Sequence, residues 1–225
     1  MPKKQTYADL GDACATAHAM DVIGDRWSMV IARELMLGPR RFADLASAVV
    51  GITPAVLTSR LKALRDSGVV EQAQLDDLGK TRVYRLTEWG QGLEDVMRSL
   101  GRWAQRSPGF PVEDGSMTPD GVIVAMRTMA PYATMADWRD GPVRIAIELH
   151  DERRPAAGVR RYRLHWDADR FELTEGADDA PTTTVIGDSS AWAGVVFAGV
   201  PAGAIDIEGD RRAVERVAAA YATVA

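Results

Sequence analysis

The sequence predicts an α+β chain of two compact units: a helical unit with one short hairpin, then a unit in which an antiparallel sheet is covered by helices. Three observations carry that prediction. Apolar residues recur at helical spacing to about residue 106, around one pair of short strand-like runs, and alternate strand-fashion beyond residue 140. Residues 107–116 (Ser107-Pro108-Gly109-Phe110-Pro111-Val112-Glu113-Asp114-Gly115-Ser116) hold two prolines and two glycines without periodicity and read as a linker. Charge also changes sign there: residues 1–110 carry 15 Lys+Arg against 13 Asp+Glu, the remainder 12 against 19 with no lysine. The predicted units therefore run 1–106 and 117–225.

At 225 residues, 46% hydrophobic and 26% charged, the chain can bury a core in each unit, which excludes disordered and fibrous classes. A single cysteine, Cys14, excludes an intrachain disulfide framework and a cysteine zinc cluster. The start, MPKKQTYADLGD, has no apolar run behind its lysines, so no signal peptide is expected. The longest uncharged stretch, between Asp188 and Asp206, is too short to span a bilayer and is interrupted by Pro201. The expectation is a soluble, cytoplasmic protein. Its net charge of −5 argues against nucleic acid taken as a whole, but hides a locally basic first unit.

Within that unit, Ala13–Ile23 reads as a short amphipathic helix. A second runs from Arg26, with Trp27, Val30, Ile31, Leu35 and Leu37 on its apolar side, and ends at Gly38-Pro39. Phe42, Leu45, Ala46 and Val49 mark a third, closed by Gly51. Thr53 caps a fourth whose first position, Pro54, needs no N–H partner. Leu57, Leu61 and Leu64 form its buried stripe, and Ser67-Gly68 ends it. Val69–Leu75 and Thr81–Leu86 are strands of a hairpin turning at 76–80.

Two short helices joined through Val50-Gly51-Ile52, followed by a hairpin, are the plan of a winged helix-turn-helix. With the leucines inward, the fourth helix turns out Ala55, Ser59 and Lys62, flanked by Thr58, a small, polar and cationic face suited to a major groove. Arg60 lies at the stripe's edge, within reach of a phosphate or available to brace the fold. Arg40 and Arg41 open the third helix, Thr53 the fourth, and Lys80 and Arg82 occupy the hairpin tip and flank. The alternative is a helical domain whose cations are solvated surface.

These residues resemble the HxlR family of bacterial winged-helix regulators. The likeness rests on Cys14-Ala15-Thr16-Ala17, Ile23-Gly24-Asp25-Arg26-Trp27, Leu37-Gly38-Pro39-Arg40-Arg41-Phe42-Ala43-Asp44-Leu45, Gly51–Leu61 and Val83-Tyr84-Arg85-Leu86-Thr87 with Gly90. It spans about residues 10–106. It implies a homodimer on a pseudo-palindromic operator in double-stranded DNA, with the fourth helix as reader and half-sites about one DNA turn apart. The helix from Thr87 carries Leu93, Val96, Met97, Leu100 and Trp103 on one side. Family members dimerise through terminal helices, so this stripe is expected at the dimer interface rather than in the core. Some members sense oxidants through a cysteine near the same first helix, which makes Cys14 a redox candidate against the plainer role of a small buried hydrophobe. Asp9, Asp12 and Asp21, if close, would raise its pKa.

In the second unit, Thr118-Pro119-Asp120 opens a helix bearing Val122, Met126 and Met129. Strands follow at Val143–Leu149, around Tyr162–Trp166, at Phe171–Leu173 and at Thr182–Ile186. A helix from Ser189, a short strand Ala204–Glu208 and a last helix capped by Asp210 complete it. This half resembles sterol-carrier-protein-like domains, through Thr182-Thr183-Thr184-Val185-Ile186, Trp192, Phe197-Ala198-Gly199 and Ile207-Glu208-Gly209-Asp210. The resemblance implies an apolar tunnel between sheet and helices. Met126, Met129, Trp138, Trp166, Phe171, Trp192 and Phe197 are its candidate lining, with plain core packing as the alternative for each.

No enzyme, cofactor or metal site is expected. His18, His150 and His165 lack ligand spacing. Ser189 and Ser190 with Asp178, Asp179 and Asp188 have no nucleophile elbow around them. Asp167, Asp169 and Glu172 do not span a calcium loop. The expected function is therefore a dimeric DNA-binding regulator tuned by an apolar small molecule in the second unit. The alternatives are a regulator with a structural second unit and Cys14 as its redox switch, or a carrier of apolar metabolites.

Overall fold

The computed structural model describes residues 5–75, 80–108, 116–130 and 141–222. It divides into two compact units, residues 1–94 and 95–225. In the first, helices α1 (Ala15–Ile23), α2 (Ser28–Leu35), α3 (Phe42–Ala48) and α4 (Pro54–Asp66) precede the hairpin β1 (Val70–Gln74) and β2 (Arg82–Leu86). The hairpin register runs from Val70 opposite Leu86 to Gln74 opposite Arg82. Thr53 caps α4 by accepting the Val56 N–H. Leu57, Leu61 and Leu64 are buried with Ile31, Leu35, Leu45, Val69 and Val83, the core that holds α4 against its neighbours.

After the hairpin, the single expected helix is two: α5 (Glu88–Gln91), capped by the Thr87 hydroxyl, and α6 (Leu93–Ala104). Gly92, a poor helix residue, separates them. No residue of α6 is buried. Val96, Leu100 and Trp103 are 45%, 48% and 73% exposed.

The second unit adds α7 (Pro119–Thr128), β3 (Val143–His150), β4 (Arg160–Trp166), β5 (Phe171–Glu175), β6 (Thr183–Asp188), α8 (Ser189–Phe197), β7 (Asp206–Gly209) and α9 (Arg211–Ala222). The strand order is β5-β4-β3-β6-β7. Val143, Ile145, Ile147 and Leu149 alternate inward on β3, as do Tyr162, Leu164 and Trp166 on β4. The sequence predicts an antiparallel sheet, but the sheet is mixed: β6 runs parallel to β3, with Ile145 opposite Thr183 and His150 opposite Asp188.

The chain between β5 and β6 produces that pairing. It must return to the starting end of β3 before β6 begins, and it does so over the polar face of the sheet. There the Asp178 side chain, 3% exposed, meets Arg144 Nη2 at 2.9 Å and His165 Nε2 at 3.0 Å. Burial opposes ionisation of Asp178, but the Ala180 N–H, His165 and Arg144 together hold its carboxyl below the ordinary range. Asp178 is thus an anchor of the crossover.

Candidate functional site

The outward face of α4 is built as its leucine spacing dictates. Ala55, Thr58, Ser59 and Lys62 are exposed, and Thr53 lies exposed at the helix start. Thr58 Oγ1 donates to the Pro54 carbonyl at 2.8 Å, and Lys62 Nζ lies 2.5 Å from Asp66. Neither contact buries the side chain, so both groups remain available at the surface. Arg60 is half-buried and pairs with Asp25, Nη1 to Oδ2, at 3.4 Å. Of the two roles open to Arg60, the brace is present in the free chain.

Arg41 is exposed at the entry to α3, where its N–H donates to Asp44 Oδ2. Arg40 differs from its neighbour. It is 6% exposed, donates Nε to the Glu34 carbonyl, and exchanges both backbone hydrogen bonds with Tyr84 of the hairpin. Expected among the phosphate contacts, Arg40 instead joins the hairpin to α2 from inside. The reason is the backbone bridge, which draws residue 40 in as a third strand. Lys80 is exposed in a left-handed conformation (φ 45) at the edge of the described wing, and residues 76–79 lie outside the described residues. Exposed Arg82 lines a shallow hollow of about 390 Å³ on the wing with Gln72, Ala73 and Gln74.

Asp25 is a determinant that periodicity did not single out. It accepts the Trp27 N–H at 2.8 Å, the Ser28 N–H at 3.2 Å and the Ser28 hydroxyl, so it closes the start of α2 while holding Arg60. Burial works against its charge. The Ser28 hydroxyl, the Trp27 N–H and Arg60 overcome that and keep the carboxyl below its usual range. An acid immediately before the predicted helix start at Arg26 was the available signal.

Cys14 is exposed and is the N-cap residue of α1. The N–H groups of Ala17 and then Thr16, at the open end of the helix, favour the thiolate and lower its pKa, although the neutral thiol closes no cap hydrogen bond of ordinary geometry. This reverses the direction expected from Asp9, Asp12 and Asp21. Those carboxylates are committed to backbone: Asp9 takes the Thr6 N–H, Asp12 the Cys14 N–H and Asp21 the Tyr7 N–H.

In the second unit three of the predicted lining residues meet Tyr221 of α9, which was not among the predicted lining. Its ring meets Trp166 and Phe197 edge-on, at centroid distances of 6.0 and 5.5 Å, and its hydroxyl donates to the Met126 carbonyl at 2.6 Å. Trp166 also meets Phe171, and Trp192 Nε1 lies 3.3 Å from Met126 Sδ. Met126, Trp166 and Trp192 are wholly buried, while Met129, Phe171 and Phe197 are half-exposed. Trp138 lies outside the described residues. Asp188 caps α8 through the N–H groups of Ser190 and Ala191, and buried Ser189 donates to the Met117 carbonyl. Among the described residues no three His, Cys, Asp or Glu side chains are placed to hold a metal ion, and no helix is long and apolar enough to cross a membrane.

A three-helix core with an exposed polar face on its last helix and a cationic hairpin beside it defines a winged helix-turn-helix unit. Residues 22–108 match the family described as HxlR-like helix-turn-helix. The chain is 33% identical over 96 residues to the HTH-type transcriptional regulator YodB of Bacillus subtilis (strain 168), covering 42% of this chain and 86% of that protein. It is 30% identical over 86 residues to the uncharacterized HTH-type transcriptional regulator YvaP of the same strain, covering 38% and 80%. A solved structure of the reduced form of YodB from B. subtilis aligns at 30% identity with a TM-score of 0.40, covering 44% of this chain and all of that one. The chain belongs to the HxlR-like helix-turn-helix family.

Proposed function

We propose that this protein is a transcriptional regulator that binds a pseudo-palindromic operator as a homodimer in the cytoplasm, and that an apolar small molecule in the second unit tunes its affinity. The observation that carries the reading is the split of α4. Three leucines are sealed in the core, while Ala55, Thr58, Ser59 and Lys62 are turned out beside exposed Lys80 and Arg82. Such a face offers small and hydrogen-bonding groups to base edges and cations to phosphate. The exposed stripe Val96, Leu100 and Trp103 on α6 supports dimerisation, since apolar side chains at that spacing favour burial against a second copy. The second unit is read as a sensor without catalytic chemistry, its effector reached past Met129, Phe171 and Phe197 toward Trp166 and Trp192.

Fluorescence anisotropy on labelled duplexes tests the DNA surface. Lys80→Ala and Arg82→Ala are expected to weaken binding to all sequences and to flatten the salt slope by about one unit per lost phosphate contact. Thr58→Ala and Ser59→Ala are expected to change sequence preference instead. If neither pair alters a salt-sensitive complex, DNA is bound elsewhere.

Cys14 favours a second reading, in which oxidation or alkylation of the thiol is the switch and the second unit is structural. Its exposure and its place at the open end of α1 are what support it. Native mass spectrometry of the full chain, purified without lipid or detergent and then treated briefly with iodoacetamide, separates the two. An apolar adduct on the dimer supports the effector reading. An empty dimer whose Cys14 alkylates faster at neutral pH than a free thiol supports the redox reading. An adduct on a monomer favours a carrier of apolar metabolites.

A further inference from the structure

Arg26, in the corner Gly24-Asp25-Arg26-Trp27 before α2, belongs to neither the reading helix nor the wing. Four cations of the first unit have a carboxylate beside them: Arg60 has Asp25, Lys62 has Asp66, Arg85 has Glu71 and Arg33 has Glu34. Arg26 is exposed and makes no ion pair among the described residues. It is nonetheless held in place, its guanidinium carbon 5.1 Å from the centre of the Trp27 ring. Seating on an aromatic face limits the rotamer entropy that a long cation loses when it binds an anion.

The position of that seat decides what Arg26 can meet. Gly51, in the turn between α3 and α4, has φ +83, and a Cβ there would lie 3.7 Å from Trp27 Cη2, so the indole reaches the turn that aims the reading helix. Asp25, the chain neighbour on the other side, grips Arg60 on α4 itself. Arg26 therefore stands at the shoulder of α4, beside the groove-facing surface but outside it, where a DNA strand lining that groove presents its phosphates.

We propose that Arg26, seated on Trp27, is a phosphate-binding residue of the DNA interface. It would position the duplex along α4 without reading sequence. This rests on the DNA-binding function proposed above, and the test keeps the two apart. Full-length protein is titrated with salt on a labelled mixed-sequence duplex of about forty base pairs, long enough to hold a complete footprint.

Arg26→Ala is expected to bind about tenfold more weakly, the loss of one charge-assisted hydrogen bond, with the slope of log K against log salt reduced by about 0.9. Arg26→Lys keeps the charge and loses the planar stack, so it should restore the slope and only part of the affinity. Arg26→Ala with an unchanged slope, beside an Arg82→Ala that does flatten it, overturns the Arg26 assignment and leaves DNA binding intact. Wild-type protein with no salt-sensitive complex overturns both. Should Arg26→Ala melt early, Arg26→Gln, which keeps a stem over the indole, replaces it with the same expected slope.

Discussion

Gly90→Ala is expected to destabilise the first unit by about 3 kcal/mol, at the upper end for an added methyl in a packed site, and to remove DNA binding with it. Gly90 is buried in α5, where its N–H donates to the Thr87 hydroxyl at 3.0 Å. A Cβ on Gly90 would overlap the Val69 carbonyl oxygen and lie 3.1 Å from the Val69 carbonyl carbon and 3.3 Å from Leu86 Cδ2. The obstacle is backbone, so no rotamer change relieves it. The Val69 carbonyl also accepts the Thr87 N–H at 3.1 Å and the Thr87 hydroxyl at 3.3 Å, so pushing it aside strains the joint between β1 and the cap of α5.

Gly101→Ala is the internal control. A Cβ there meets nothing within 4 Å, and alanine in a helix interior is worth about 0.5–1 kcal/mol over glycine, so this variant should be as stable as the parent or more so. Urea unfolding by circular dichroism compares the two. Equal midpoints for Gly90→Ala and the parent would mean that α5 does not press on β1 as described.

The elements that sequence reveals here are those fixed by local chemistry. Thr53-Pro54 sets the start of α4 because a cap and a preset φ act within one turn, and Leu57, Leu61 and Leu64 set its buried face by spacing alone. Alternation likewise exposes β3 and β4. What stays hidden is pairing between distant segments. The run Thr183–Asp188 has the same pattern beside a parallel neighbour as beside an antiparallel one, so its place next to β3 depends on where the 176–182 segment crosses, and hence on Asp178 meeting Arg144 and His165.

The candidate site divides on the same line. The face of α4 follows from periodicity. The fates of individual arginines do not, because they depend on partners elsewhere in the chain. Arg40 and Arg41 are adjacent and chemically identical, yet the backbone bridge to Tyr84 buries the first and leaves the second exposed. Cys14 shows the sign problem that proximity in sequence creates. Three nearby aspartates suggest a raised pKa, but their carboxylates serve backbone N–H groups, and the open end of α1 acts in the other direction. Tyr221 sits in an ordinary helix stripe, and only the fold brings its ring to Trp166 and Phe197.

Asp120→Ala is expected to cost the second unit about 3 kcal/mol, because it takes the acceptor from a phenol already out of water and removes one of the two carboxylates beside Arg160. Asp120 lies in the first turn of α7, where the helix dipole favours its charge. Its Oδ1 accepts the Tyr162 hydroxyl at 2.6 Å and lies 3.4 Å from Arg160 Nη2, which also holds Glu175 at 2.7 Å. Tyr162 is wholly buried in β4, so without Asp120 its hydroxyl loses this acceptor in the core. Asp120→Asn keeps an acceptor for Tyr162 and should lose less.

The same cluster sets an alkaline limit. Burial first, then the Asp120 carboxylate, pushes the Tyr162 phenol well above its ordinary value of 10.0. Above that value the unfolded chain releases the proton and the folded chain keeps it, so the unfolded state binds fewer protons and stability falls as pH rises. The fall is about 1.4 kcal/mol per pH unit from this residue, with its contribution fully present below pH 10. Tyr162→Phe removes the titrating group. It is expected to be less stable than the parent at pH 7, by roughly the 1.5–3 kcal/mol of a hydrogen bond to a charged group, and to lose less on going from pH 10 to 11.5. Parallel stability curves for the two proteins across that range would mean that Tyr162 ionises in the folded state, and that the contact between α7 and β4 is open to water.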